Sequence, residues 1–137
     1  MSLFRILDIA GTAMHAQTVR LNTTASNMAN ADSASSSIDT TYRARHPVFS
    51  TLMSEGDGDG ASAGVEVRGI VESQEPLRRE YQPNHPLADK DGYVFMPNVD
   101  PVDEMADMIS ASRAYQSNVE VANASKQMLL RTLALGE

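Results

Sequence analysis

Glu55, Asp57, Asp59, Gly60 and Glu66 repeat the spacing of positions one, three, five, six and twelve of a calcium-binding EF-hand loop. Alternate carboxylates at that spacing can surround a hard cation, and the glycine permits the sharp turn between them. The match departs at three places. Position one is Glu rather than Asp, position eight is Ser62 rather than an apolar residue, and Val65 to Glu72 alternates like a strand where a helix should leave the loop. A glycine-rich, solvated acidic turn accounts for the same residues. A soluble calcium-binding interaction module using Glu55 to Glu66 therefore stands as the second reading of the chain, with calorimetric calcium titration as its test.

The remaining reactive side chains form weaker constellations. His85 lies close in sequence to Asp89 and Asp91, the minimum for a small acid–base site and the basis of a third reading, a small enzyme. His46 and His85 each precede a proline, however, which points to extended or turn backbone, and no two histidines have the spacing that puts metal ligands on one helical face. His15, beside Met14, reads as a solvated or interfacial histidine. The run Ser33 to Ser37 has no histidine placed to activate a serine, and phosphate-cradling glycine motifs are missing. With no cysteine, thiol nucleophiles and zinc–thiolate sites are excluded. No catalytic residue, metal ligand or cofactor is expected.

The elements around these residues are easier to read. From Leu3 to Ala31, Leu7, Met14, Leu21 and Met28 recur every seven positions, with Leu3, Ala10, Gln17 and Thr24 on a second seam. This predicts a helix about 40 Å long, capped by Ser2 and ended by the serine-rich stretch from Asp32, whose side chains compete for backbone hydrogen bonds. A matching pattern closes the chain. Met105, Ser112, Val119 and Leu133 share one column, broken by Lys126, and Met108, Tyr115, Ala122 and Leu129 share another. Asp100 and Pro101 supply an N-cap and first-turn proline, Asp103 and Glu104 suit the positive end of the helix, and Arg131 and Gly136 suit the other.

Between the helices lie five of the six prolines and most of the glycines. Val65, Val67, Gly69 and Val71 alternate with Glu66, Arg68, Ile70 and Glu72, and shorter strands are predicted from Tyr42 to Phe49, Leu77 to Tyr81 and Tyr93 to Met96, the last entered through a turn at Asp91 and Gly92. The fold class that follows is α+β: long N- and C-terminal helices packed as a coiled-coil-like pair, with a small β-rich insert between them. The expected divisions are 1–39 for the first helix and its connector, 40–97 for the insert and 98–137 for the second helix.

Composition narrows the function class. The 137 residues carry a net charge of −7, so binding to a phosphate backbone is an unsuitable main task, and the pairs Arg43 with Arg45 and Arg78 with Arg79 suit acidic protein neighbours better than nucleic acid. No apolar run approaches the roughly 18 to 20 residues of a membrane span. Arg5 and Asp8 interrupt the amino-terminal apolar residues, which do not read as a cleavable signal. Two amphipathic helices can pair but bury only one side each, so the remaining apolar surface calls for neighbours. The expected assembly interface comprises Leu3, Leu7, Met14, Leu21, Met28, Met105, Met108, Tyr115, Val119, Ala122, Leu129 and Leu133, with the methionines adapting to several nonidentical contacts.

The opening SLFRILDIAGTAMHAQTVRLN, the SNMANAD from Ser26 to Asp32 and the closing half from HPLADKDGYVFMPNVD through EMADMISASRAYQSNVEVAN to TLALG together resemble the bacterial flagellar basal-body rod proteins, within the axial family of rod and hook. Length and the His85 to Asp100 segment point to a proximal-rod member. The resemblance implies a structural subunit that catalyses nothing and forms part of the periplasmic drive shaft carrying motor torque to the hook. It implies terminal helices forming an inner axial domain around the export channel, with the insert outside. Implied partners are other copies of the chain, the rod proteins FlgB, FlgF and FlgG, the adaptor FliE and the flagellar type III export apparatus, through which such proteins leave without a cleaved signal. Carried across residue by residue, Asn27 and Asn30 fix the end of the first helix and the turn after it, while Asn98 and Asp100 start the second. The serine run and the acidic Glu55 to Gly60 loop depart from the family pattern.

Overall fold

The computed structural model describes residues 3–53 and 63–134. Helix α1 (Leu3–Asn30) is followed by a single 3₁₀ turn (Ile38–Thr40), strands β1 (Arg45–Met53), β2 (Ala63–Glu72), β3 (Arg78–Tyr81) and β4 (Tyr93–Met96), and helix α2 (Pro101–Ala134). Strands β1 and β2 form one two-stranded sheet, β3 and β4 another. The chain is thus α+β, with two long terminal helices and a small strand insert.

Helix α2 starts as its sequence requires. Asp100 Oδ1 accepts the Val102 N–H at 2.8 Å and the Asp100 carbonyl accepts the Glu104 N–H at 3.1 Å, while Pro101 has no N–H to leave unpaired. Asp103 and Glu104 lie in the positive first turn and Arg131 in the last. At the end of α1, the Asn30 carbonyl accepts both the backbone N–H and the hydroxyl of Ser33, so the serine-rich segment closes the helix by hydrogen bonding.

Contacts divide the chain into two units whose borders fall inside α1, the β1–β2 ribbon and α2. The first comprises the described residues of 1–21, 47–69 and 109–137. Within it Ala10, Ala16, Ala111 and Ser125 are buried. The Val65 N–H reaches Thr12 Oγ1 at 3.2 Å, and a Cβ on Gly64 would stand 3.1 Å from that same oxygen, so β2 begins in close contact with α1.

The second unit comprises 22–46 and 70–108. Strands β3 and β4 pair antiparallel with Arg78 opposite Met96 and Tyr81 opposite Tyr93. Val94 and Met96 point inward, while Tyr93 and Phe95 carry the Arg79 guanidinium over their rings at 4.7 and 5.3 Å. Ser35 adds a bridge to Phe95 through two backbone hydrogen bonds of 2.9 and 3.0 Å, giving the serine segment a structural use. Gly92 has φ of 81°, and a Cβ there would lie 2.9 Å from Tyr81 Cε2, so only glycine fits before β4. A small core of Ala31, Ala44 and Val99, with Tyr42 against it, closes the unit.

In each helix the most buried residues follow a seven-residue column of small and polar side chains, which in α1 is the second seam read from the sequence and in α2 is a column other than the two read there. In α1 the column is Ala10, Gln17 and Thr24, continued by Ala31, and Gln17 Oε1 is buried without a hydrogen-bond partner. In α2 it is Glu104, Ala111, Asn118 and Ser125. Leu3, Leu7, Met14, Leu21, Met28, Met108, Val119, Ala122 and Leu129 are half-buried, while Met105, Tyr115 and Leu133 are exposed.

Candidate functional site: helix ends and the exposed helix faces

Where the helix ends meet the root of the insert, hydrogen bonding is densest around Asn27, which is 1% exposed. Its Nδ2 donates to the Arg45 carbonyl at 2.8 Å and to Glu104 Oε1 at 2.7 Å. Its Oδ1 accepts the Arg45 N–H and the Tyr42 hydroxyl, both at 2.9 Å. Both donors and both lone pairs of the carboxamide are therefore used, which is what allows a polar side chain to sit here without penalty. Glu104 is itself buried, near the positive end of α2. Asn98 does related work. Its Oδ1 accepts the Ala44 N–H at 2.8 Å and its Nδ2 donates to the Glu75 carbonyl at 3.0 Å. Asn30 bonds back to the Ser26 carbonyl within the last turn of α1.

The arginines in this unit are engaged with the insert. Arg43 donates to the Ser73 and Glu75 carbonyls, Arg45 pairs with Glu72 at 3.1 Å beneath the Tyr42 ring, and Arg78 donates to the Pro97 carbonyl. An open polar cavity of about 650 Å³ lies between the serine segment and Arg43, Arg45 and Glu72, with no cluster of reactive groups converging in it.

The residues considered for chemistry serve local structure instead. Asp89 accepts the Asp91 and Tyr93 N–H groups on Oδ1 at 2.9 and 2.8 Å and meets Arg79 at 3.4 Å. The Tyr93 N–H is the main influence holding its carboxyl below the usual range; partial burial opposes it, and Asp91 and Arg79 assist. His85 Nδ1 accepts the Leu87 N–H at 3.1 Å. His85 lines an open cavity with Gln82, Pro83, Asn84 and Pro86, and Asp89 is not among its lining residues. Of the EF-hand-like residues, Glu55, Asp57, Asp59 and Gly60 lie outside the described residues, and Glu66 is on β2 beside Ser50. Among the described residues no group of three acidic, histidine or cysteine side chains is placed to hold a metal ion. Among them, too, no helix is long and apolar enough to cross a membrane.

What the chain does present is apolar helix surface. Val102, Met105 and Ile109 occupy one stripe at i, i+3 and i+7 and are 70%, 47% and 54% exposed. Glu104 and Ala111, on the other side of the same helix, are buried. Further along α2, Met128, Leu130 and Leu133 are also exposed. Of the residues expected from the sequence, Asn27 is joined to the α2 start through Glu104, and Met105 lies on the outward stripe. The Glu104 column was missed because hydropathy periodicity passes over a seam built from Glu, Ala, Asn and Ser; its seven-residue spacing was the available signal.

Two family models match the chain at its two ends, one described as flagella basal body rod protein over residues 7–34 and one as flagellar basal body rod FlgEFG protein C-terminal over residues 90–135. The flagellar basal-body rod protein FlgC of Salmonella typhimurium is 50% identical over 137 residues, covering all of both chains. That of Escherichia coli O6:H1 is 51% identical over the same span, and that of Borreliella burgdorferi is 36% identical with 98% of each chain covered.

Proposed function

The chain belongs to the FlgC family of flagellar basal-body rod proteins and is a structural subunit of the basal body rather than an enzyme, and from that premise we propose how its surfaces are used. It self-assembles and joins FlgB, FlgF, FlgG and the adaptor FliE in the proximal rod, having left through the flagellar type III export apparatus without a cleaved signal. In the periplasm the helical parts, 1–39 and 98–137, form the inner axial domain around the export channel, and the insert, 40–97, lies outside.

The single observation that most supports this reading is the outward apolar stripe Val102, Met105 and Ile109, on a helix whose other side is already buried. A helix buried on one side that also presents apolar side chains on the other gains stability from a neighbour there, and binding only the folded form stabilises it by mass action. The half-buried Leu7, Met14, Leu21, Met28, Met108, Val119, Ala122 and Leu129, with exposed Tyr115 and Leu133, extend the contact, as Leu3 does at the start of α1. Torque then passes as shear across many interdigitated contacts, which resist sliding because even small gaps forfeit dispersion energy.

Placing a photo-crosslinking residue at Met105 in motile cells tests the reading. Adducts with other rod proteins or with a second copy are the expected products. Adducts confined to proteins outside the flagellum would overturn it.

A further inference from the structure

We infer that Asn27 and Asn98 are positioning residues, a two-amide clamp that holds the backbone of Ala44 and Arg45, the root of the β1–β2 ribbon, to the end of α1 and the start of α2. This rests on the rod reading and deepens it: the clamp makes the root of the insert move with the helix ends when load is applied.

The geometry has three parts. A side-chain carboxamide carries a donor and an acceptor at about the spacing of a peptide group, and Asn27 takes both the N–H and the carbonyl of Arg45, as a neighbouring strand would. In extended chain, successive residues turn their polar groups to opposite edges. Ala44 is held on its own side, its N–H by Asn98 Oδ1 and its carbonyl by the Ser73 N–H at 2.7 Å. The strand root is thus gripped from both edges. The apolar material beside it is small, namely Ala31, Ala44 and Val99 with part of Tyr42, so directional hydrogen bonds rather than bulk fix its placement. Glu104 and Tyr42 complete the grip by orienting the Asn27 amide, one accepting from Nδ2 and the other donating to Oδ1.

Amide hydrogen exchange on the full-length chain reads the clamp residue by residue. Asn27→Ala is expected to speed exchange at Arg45 by about 10-fold or more while Ala44 changes less than about 3-fold, and Asn98→Ala to reverse that order. Equal changes at both amides in both variants, or none, would overturn the inference. A second comparison guards against simple unfolding. Asn27→Asp keeps the acceptor for the Arg45 N–H but loses the donor to the Arg45 carbonyl and sets a carboxylate against both that carbonyl and Glu104; adding Glu104→Gln supplies a donor only at residue 104. Recovery of less than half of the lost Tm in the Asn27→Asp/Glu104→Gln chain is expected, because the Arg45 carbonyl still faces a carboxylate oxygen, and full recovery would count against the clamp. In soft agar, cells carrying Asn27→Ala/Asn98→Ala at wild-type protein level are expected to spread less than half as far as wild type; undiminished spreading would overturn the link to load. The exchange and Tm measurements use the isolated chain, so a failed clamp is distinguishable from a failed rod reading, which appears as absence of the wild-type chain from basal bodies.

Discussion

Met105→Asp separates folding from assembly. The side chain is 47% exposed on the outward face of α2, flanked along its stripe by Val102 and Ile109. Within the isolated chain an aspartate there remains solvated and sits in the first turns of a helix whose positive end favours it, so stability should change by no more than about 0.5 kcal/mol. In the assembled rod the balance differs. Burying a methionine fully is worth about 1.5–3 kcal/mol, and the half still exposed accounts for about 0.7–1.4 kcal/mol of contact. Removing water from an unpaired carboxylate adds about 3–5 kcal/mol. The sum of about 4–6 kcal/mol per contact corresponds to at least about a thousandfold weaker association. Thermal unfolding of the purified variant, set beside its abundance in isolated basal bodies, measures both halves. A wild-type Tm with loss from basal bodies is the expected pair, and Met105→Leu should be retained. Normal retention of Met105→Asp would refute the assignment of this face, and a large fall in Tm would refute the claim that the face is idle within the chain.

Other outcomes follow from the same geometry. Gly92→Ala must adopt a φ of 81° and displace the Tyr81 ring from a Cβ at 2.9 Å, so denaturant titration should show a loss of about 2–4 kcal/mol. Ala111→Leu forces a larger side chain into a fully buried position and should lower stability by about 1–3 kcal/mol in the same titration, whereas an unchanged midpoint would show that the column has room. Asp89 is held below the usual carboxylate range by the Tyr93 N–H above all, so its contribution is present above the unfolded pKa and lost as pH falls through the lower folded value. Acid titration followed by the Tyr93 amide resonance should therefore show the loop loosening only below the usual carboxylate range, and Asp89→Asn should remove that pH dependence.

The two helices and most of the strands were legible because hydropathy carries their period. The stretches predicted from Leu77 to Tyr81 and Tyr93 to Met96 lie within a residue of β3 and β4, and the Asp100–Pro101 start of α2 follows from cap chemistry alone. Strand β1 begins at Arg45 rather than Tyr42; just before it the Ala44 backbone N–H is taken by Asn98 Oδ1 instead of by a strand partner. The buried columns were harder to see. In α1 the sequence already marks Ala10, Gln17 and Thr24 as a second seam, but in α2 a column of Glu104, Ala111, Asn118 and Ser125 has little hydropathy to reveal it, and the methionines and leucines of the other columns dominate the periodic signal. Asn27 could be marked from its motif, but its reach to Arg45 and Glu104 spans 18 and 77 residues and is fixed only by tertiary structure.

The most direct test of the account is quantitative mass spectrometry of detergent-extracted basal bodies from the source bacterium, comparing wild-type cells with cells producing Met105→Asp. The wild-type chain should be retained in stoichiometric proportion to the other rod proteins and the variant lost. Basal bodies holding the other rod proteins but lacking the wild-type chain would contradict the account.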